Sequence, residues 1–324
     1  MKRIALKDIA KIAGVSASTV SLILNGRAKE LRISEALERR IKNIARKSGY
    51  SPNHLAVSLR KGETKIIGLV VENIAGNFFA AVSKIIDDEA DKHGYKVVYC
   101  STENDTEKAK GLIKMLNQRQ VDGYIITPVP GIEKEIADLV AHHKPVVLLD
   151  SYFTGLNVAH VLVDNTASVT LGINYLLKKG FTKIGFVTVD LDLIQIKQRK
   201  DAFIKTMKAN KIKIDTSAIL EVAYNATRSE TVERIKIFID AHKELQVLFF
   251  ATNYLGVAGL EAMQLLRKTI AKDIALMCFD DNDIFKLYPP GITALEQPVE
   301  AIAKTAADLL FKQLGKNKIN FEKD

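Results

Sequence analysis

A chain of 324 residues, 47% hydrophobic and 26% charged, is long enough for two or three globular domains and too apolar for a disordered one. Its formal charge of +9 is unevenly placed: residues 1–62 hold fourteen Lys and Arg against four Asp and Glu, and the remainder holds 33 against 34. No run approaches eighteen uncharged apolar residues, the N-terminus has no apolar signal region, and Cys100 and Cys278 match no metal or disulfide spacing, so a cytoplasmic protein without metal or cofactor is expected.

Three short helical patterns open the chain. The first, about Leu6 to Ala13, places Leu6, Ile9, Ala10 and Ala13 on one face. Gly14-Val15-Ser16 interrupts it, and a second runs from about Ala17 to Leu24, with Ser16 as N-cap and Gly26 ending it in a left-handed conformation. The third follows the N-cap Ser34, buries Leu37, Ile41 and Ile44, and stops at Gly49. Two short helices joined by a tight Gly turn, with a third completing the core, describe a helix-turn-helix unit. The spacing predicts that the second helix exposes Ala17, Ser18, Ser21 and Leu22 and turns Val20 and Leu24 inward. Small side chains there let the backbone approach a groove, and hydroxyls reach phosphates or base edges. The concentrated positive charge favours a polyanionic partner through phosphate neutralisation. Charge alone leaves a solvated basic face open, and the pattern alone leaves a structural three-helix cap open.

Ser51-Pro52-Asn53 through Gly62 has helical potential but little to bury, which suits a linker that folds against a partner. From Lys65 the texture changes to apolar strands alternating with amphipathic helices. Strands are expected at Ile66–Val71, Lys96–Cys100, Gly123–Thr127 and Pro145–Leu149, with helices at Phe78–His93, Glu107–Arg119 and Glu133–His142 between them. The rhythm restarts with helix Ser168–Lys178, strand Lys183–Val189, helix Ile196–Asn210 and strand Ala218–Val222. Helix Glu230–Ala241, strand Gln246–Ala251, helix Gly256–Leu266 and strand Ile274–Phe279 follow. Strands too apolar to face water indicate parallel sheets covered on both faces. Two such units imply two lobes, and ligands of open α/β sheets sit beyond the carboxyl ends of the strands, so a cleft between lobes is expected.

At these residues the chain resembles the lac repressor / gal repressor (LacI–GalR) family of transcription regulators over nearly its whole length. The carriers are Leu6-Lys7-Asp8-Ile9-Ala10-Lys11-Ile12-Ala13-Gly14-Val15-Ser16, Ser18-Thr19-Val20-Ser21, Leu24-Asn25-Gly26, Gly49-Tyr50-Ser51-Pro52-Asn53 and Ser58-Leu59-Arg60. Gln120-Val121-Asp122-Gly123, Val163-Asp164-Asn165, Phe279-Asp280-Asp281 and Gln297-Pro298 continue the match. The resemblance implies a multi-domain protein: an all-α helix-turn-helix head over residues 1–50, a hinge helix or linker over 51–64, and a sensor over 65–324. The sensor would be a two-lobed α/β domain of the type I periplasmic-binding-protein-like kind, its first lobe about 65–161 and 296–320 and its second about 164–292. The implied partners are double-stranded operator DNA, a small-molecule effector of sugar type and a second copy of the chain, with no membrane.

For DNA, the resemblance points to Ser16, Ala17, Ser18, Thr19, Ser21, Leu22 and Asn25 in the head and to Asn53 and Leu59 in the linker. Leu59 matches a leucine wedged into the minor groove, where the cost of unstacking one base step is recovered by bending DNA onto more protein. Leu22 departs from the usual Arg and permits only apolar contact, and Val57 likewise replaces an Arg. For the effector, the resemblance points to Phe78 and Phe79 against a ligand ring, Asp150, Asn253 and Asp280 at strand ends, and Arg199 gripping from the second lobe. Here too the chain departs: Gly76-Asn77 stands for Asn-Pro, Tyr254 for Asp, Ala202 for Gly and Phe181 for His. The last return into the second lobe implied by the family would fall beyond Asp324. Each site residue has a plainer alternative, such as core packing for the Phe pair and capping for the Asp residues.

Three readings compete with an effector-controlled regulator. An enzyme would need a nucleophile elbow, a phosphate loop or a dinucleotide fingerprint, and none is present. A sugar-binding protein without a regulatory role would not need the basic head. The third changes only the effector, from a sugar to a nucleoside or purine.

Overall fold

The computed structural model describes residues 4–28, 33–50 and 62–321. The chain divides into two compact units, Met1–Thr64 and Lys65–Asp324.

In the first unit, α1 (Leu6–Ala13), α2 (Ala17–Leu24) and α3 (Glu35–Lys47) enclose a core of Ile9, Ala10, Ala13, Val20, Ile23, Ala28, Ile41 and Ala45. The turn between α1 and α2 needs a left-handed residue, and Gly14 supplies it at φ 66°, where no Cβ penalty applies. Ser16 Oγ accepts from the Thr19 amide at 3.1 Å and Ser34 Oγ from the Leu37 amide at 3.4 Å, so both downstream helices begin on side-chain caps. The inward face of α2 differs from the expectation. Val20 and Ile23 are fully buried, Leu24 only partly, and Ala17, Ser21 and Leu22 are half-buried, leaving Ser18 exposed. The i, i+3 pair Val20 and Ile23 lies on the seam with α1 and α3, whereas Leu24, about 100° from Ile23 and about 40° from Val20, sits at its margin.

The second unit holds two parallel five-stranded sheets. The first contains β1 (Ile66–Val71), β2 (Lys96–Ser101), β3 (Gly123–Ile126), β4 (Val146–Leu149) and β5 (Ala159–Val161) in the order β2-β1-β3-β4-β5. The second contains β6 (Ile184–Asp190), β7 (Ile219–Ala223), β8 (Val247–Phe250), β9 (Ala275–Phe279) and β10 (Thr293–Leu295) in the order β10-β9-β8-β6-β7. On one face of the first sheet lie α4 (Asn77–Lys92) and the C-terminal α12 (Val299–Phe321), through Val82, Ile86, Ala303 and Leu310; α5 (Thr106–Gln118) and α6 (Glu133–Ala141) cover the other through Ile113, Leu116 and Ile136. The second sheet is sandwiched between α7 (Asn165–Lys178) with α8 (Ile194–Ala209) and α9 (Arg228–Ala241) with α10 (Asn253–Leu265). A short α11 (Asp283–Leu287) leads towards β10.

The chain therefore passes from first lobe to second after β5 and returns before α12. Strands β1, β3, β4 and β8 are buried almost throughout, as strands covered on both faces must be. Helices α7, α9 and α10 begin two or three residues before the hydrophobic pattern does. The first turns of α7 and α9 are polar and fixed by the caps Asp164 and Thr227, whose oxygens accept from the amides of Ala167 and Glu230.

Candidate effector cleft and DNA-reading head

A cavity of about 440 Å³ lies between the two lobes, at the carboxyl ends of both sheets. Its wall carries Phe78, Phe79, Asp150, Arg199, Asn253 and Asp280. Residues far apart in sequence thus converge on one space. Asp150 follows β4 and Asp280 follows β9, and the two turns are built alike. The Asp150 amide donates to the Val161 carbonyl at 3.0 Å and the Asp280 amide to the Leu295 carbonyl at 3.0 Å. Both residues adopt positive φ, 63° and 72°, a conformation that non-glycine residues hold only when surrounding bonds enforce it. In each lobe the last short strand anchors an Asp at the rim of the cleft.

Arg199 projects from α8 and is 3% exposed. Its Nε donates to Asn165 Oδ1 at 2.8 Å, its Nη1 to the Ala251 carbonyl at 2.8 Å, and its guanidinium lies 3.6 Å from the centre of the Phe279 ring. These contacts fix the fork and leave Nη2 without a protein acceptor among the described residues. Phe78 and Phe79 meet edge to face at 5.1 Å. Phe79 is largely committed to the first-lobe core, and Phe78 is half-buried. Asn253, expected at a strand end, is the first residue of α10, three residues after β8 ends at Phe250.

The cavity also gathers residues outside the expected site set, among them Gln297 of the Gln297-Pro298 motif. Glu72 follows β1 and accepts at Oε1 from the Tyr224 hydroxyl at 2.8 Å, a bond from one lobe to the other. Gln195, at the start of α8, donates to Asp150 Oδ2 at 3.2 Å, again across the cleft. Gln297 donates to Asp280 Oδ1 at 2.5 Å. Burial pushes the Asp150 carboxyl up to about 7; nearby Arg199 opposes the shift, while Asp280 and Glu72 add to it. Burial likewise raises Asp280 and Glu72, against the pull of Arg199 on the first and of the Tyr224 hydroxyl on the second. The phenol of Tyr224 is pushed upward, by burial first and by Glu72 second.

In the head, Ser16, Ala17, Ser18, Thr19, Ser21 and Leu22 share the start and outer flank of α2, and Asn25 caps its end. Several polar groups are already engaged locally. The Ser16 and Thr19 hydroxyls lie 2.8 Å apart in a hydrogen bond, and Asn25 Nδ2 donates to the Ser21 carbonyl at 2.8 Å. Asn53 and Leu59 lie outside the described residues. Cys100 and Cys278 are free and buried, and no group of metal-ligating side chains is assembled among the described residues. No described helix is long and apolar enough to cross a membrane.

A helix-turn-helix head joined to a two-lobed ligand cleft defines a class: DNA-binding regulators that carry a small-molecule sensor. Residues 5–53 match the family of bacterial regulatory proteins named for lacI, and residues 173–323 match a periplasmic binding protein-like domain. The chain is 30% identical over 315 residues to the HTH-type transcriptional regulator PtxS of Pseudomonas plecoglossicida, covering 96% of this chain and 89% of that one. Its fold is similar to the lac repressor dimer bound to operator and the anti-inducer ONPF, with a TM-score of 0.82, 20% identity, and coverage of 97% and 94% of the two chains. It is also similar to a complex of the transcriptional regulator CelR with cellobiose, with a TM-score of 0.69, 20% identity, and the same coverage. The chain belongs to the lacI family of bacterial regulatory proteins and is a DNA-binding transcriptional regulator.

Proposed function

We propose that this regulator binds operator DNA through its head as a homodimer in the cytoplasm, and that a small polyhydroxy ligand in the interlobe cleft sets its operator affinity. A sugar or sugar derivative is the ligand class, and repression is the direction of control. The observation that carries this reading is the convergence of Arg199, Asp150, Asp280 and Asn253 on one cavity beside the Phe78 ring. Carboxylates accept from hydroxyls, the spare guanidinium nitrogen donates to a ring or hydroxyl oxygen, and an aromatic edge suits the C–H face of a pyranose. The wall between the polar groups is apolar, with Val189, Leu193, Val222 and Leu255, as expected of a site that orients its ligand by a few polar contacts. CelR, whose fold is similar, is described in complex with cellobiose. No catalytic role is assigned to any lining residue.

On DNA, Ser18, Ser21 and Leu22 on α2 are the proposed base- and phosphate-contacting set, with Ser16, Ala17, Thr19 and Asn25 supporting them and Asn53 and Leu59 contributing from the linker. Two copies reading two half-sites about one helical turn apart give a pseudo-palindromic operator.

The test is a thermal-shift panel of sugars, nucleosides and amino acids on the full chain, followed by operator binding with and without each hit. A ligand present at 100 times its dissociation constant adds about 2.7 kcal/mol to native-state stability, enough to detect. A sugar that binds and changes operator affinity is the expected result. A sugar that binds tightly and leaves operator affinity unchanged would sink the proposed control, and a purine nucleoside as the sole hit would replace the ligand class.

A further inference from the structure

The cleft concentrates negative charge on partly buried side chains. Three lining carboxylates, Glu72, Asp150 and Asp280, face the same cavity, and no ion-pair partner stands within 4 Å of any of them among the described residues. Their partners are instead neutral: the Tyr224 hydroxyl and the Asn104 side chain at Glu72, the Gln195 amide at Asp150 and the Gln297 amide at Asp280. On the positive side the wall holds Arg199 and Arg228. Arg228 is spoken for, because its Nε and Nη2 both lie 2.8 Å from Glu261 Oε2 and its Nη2 also reaches the Val257 carbonyl. That leaves a single guanidinium, Arg199, against three carboxylates. A buried charge without a partner is costly, and the site relieves that cost either by taking up a proton or by admitting a cation.

Building on the polyhydroxy-ligand reading above, we infer that the ligand carries a protonated amine, as an amino sugar or aminopolyol does, and that Glu72 is the residue that selects for it. An ammonium offers three donors to the carboxylate face of the cavity, while the ligand's oxygens meet Arg199 Nη2. A ligand bearing a carboxylate or phosphate adds a fourth anion to the same wall and is rejected. Glu72 is the discriminating group because it reaches the cavity from the first lobe while its Oε1 is held by Tyr224 of the second. The Tyr224 bond fixes the orientation of the carboxylate beside the Asn104 side chain, and the ammonium would complete its partners. Burial, with Asp280 and Glu72 adding to it, raises the affinity of Asp150 for a proton in the same cavity.

Isothermal titration of the full chain at pH 7 tests this with matched sets: glucosamine, galactosamine and mannosamine, their neutral parent hexoses, their N-acetyl derivatives and the hexose 6-phosphates. At least one amino sugar is expected to bind tenfold or more tightly than both its parent and its N-acetyl form, and no phosphate is expected to bind. Glu72→Gln is expected to bring the amine-to-parent ratio close to one. Tyr224→Phe keeps the Glu72 charge and is expected to retain a preference for the amine, so the inference remains testable if the first variant misfolds. Equal or tighter binding of a neutral hexose, or binding of a phosphate, overturns the amine inference and leaves the sugar reading standing. No binding by any member overturns both.

Discussion

Arg199 and Asp150 show what single residues contribute to this cleft. Arg199 is locked by an amide, a carbonyl and an aromatic face, so charge alone does not define its role. Lysine at this position keeps the charge but loses the planar fork that reaches Asn165 and Ala251 together. Arg199→Lys should therefore weaken ligand binding by a hundredfold or more in titration calorimetry while ligand-free operator affinity stays within about threefold. An unchanged ligand affinity would remove Arg199 from the binding surface. Asp150 supplies a pH prediction. Its folded-state carboxyl titrates near 7, against about 3.9 in an unfolded chain. The folded protein therefore gains from proton uptake; that stabilisation is complete below about pH 4, declines from there to pH 7 and is absent above. The separation corresponds to an order of 4 kcal/mol. Asp150→Asn stays neutral and keeps an acceptor for Gln195, so its melting temperature should rise relative to the unsubstituted protein between pH 5 and pH 8. Parallel melting curves for the two proteins across that range would show that Asp150 is not buried as an acid.

Helices and strands were legible in the sequence where a period repeats long enough to be seen. The 3.6-residue stripes of α1 to α3 and the apolar runs of β1, β3, β4 and β8 announce themselves. Strands β5 and β10 have three residues each and α11 has five, too few for any periodicity, yet β5 and β10 hold the amides of Asp150 and Asp280. The cleft was legible to a similar depth. Strand-end residues such as Asp150 and Asp280 follow from the rule that ligands meet parallel sheets at their carboxyl ends. Glu72, Gln195 and Tyr224 carry no local signature, because their roles depend on which loop of the other lobe they face. Gln195 also precedes the hydrophobic stripe of α8, so the pattern left it outside the helix.

Close packing of elements gives a prediction of its own. Gly259 of α10 lies over the Phe250 ring of β8, and a Cβ there would overlap that ring. Phe250 is fully buried in the core of the second lobe, so the ring can yield only by displacing its neighbours. Alanine favours a helix by about 1 kcal/mol over glycine, while overpacking of this kind costs about 1–3 kcal/mol. With the contact this short, the cost wins. Gly259→Ala should lower the urea midpoint of the sensor, and an unchanged or higher midpoint would mean that α10 can lift off its sheet without penalty.

For the whole molecule, charge and ligand control make two linked demands. The excess of basic residues is confined to the head, so the part that meets DNA depends strongly on salt, while charges inside the cleft are screened far less. Each phosphate neutralised contributes a slope of about −0.9 to the logarithm of affinity against the logarithm of salt. If two heads together make six to ten phosphate contacts, affinity should fall about 10³- to 10⁵-fold between 50 and 200 mM salt. Ligand affinity for the free protein should barely respond over the same range. Control then rests on a coupling free energy between the two sites, which for regulators of this kind is about 1–3 kcal/mol and acts in both directions. Whatever factor the ligand imposes on operator affinity, the operator must impose on ligand affinity. Because salt weakens DNA binding with and without ligand alike, the ratio of the two operator affinities should survive a salt titration that lowers each of them a thousandfold. The check is a four-cornered measurement on the full chain: operator affinity with and without saturating ligand, and ligand affinity with and without saturating operator, at two salt concentrations. Equal factors on both sides at both salts support a two-state regulator whose head and sensor share one equilibrium. Factors that close the cycle but shrink as salt rises would mean that ligand alters the number of phosphate contacts and not only the population of the binding-competent state.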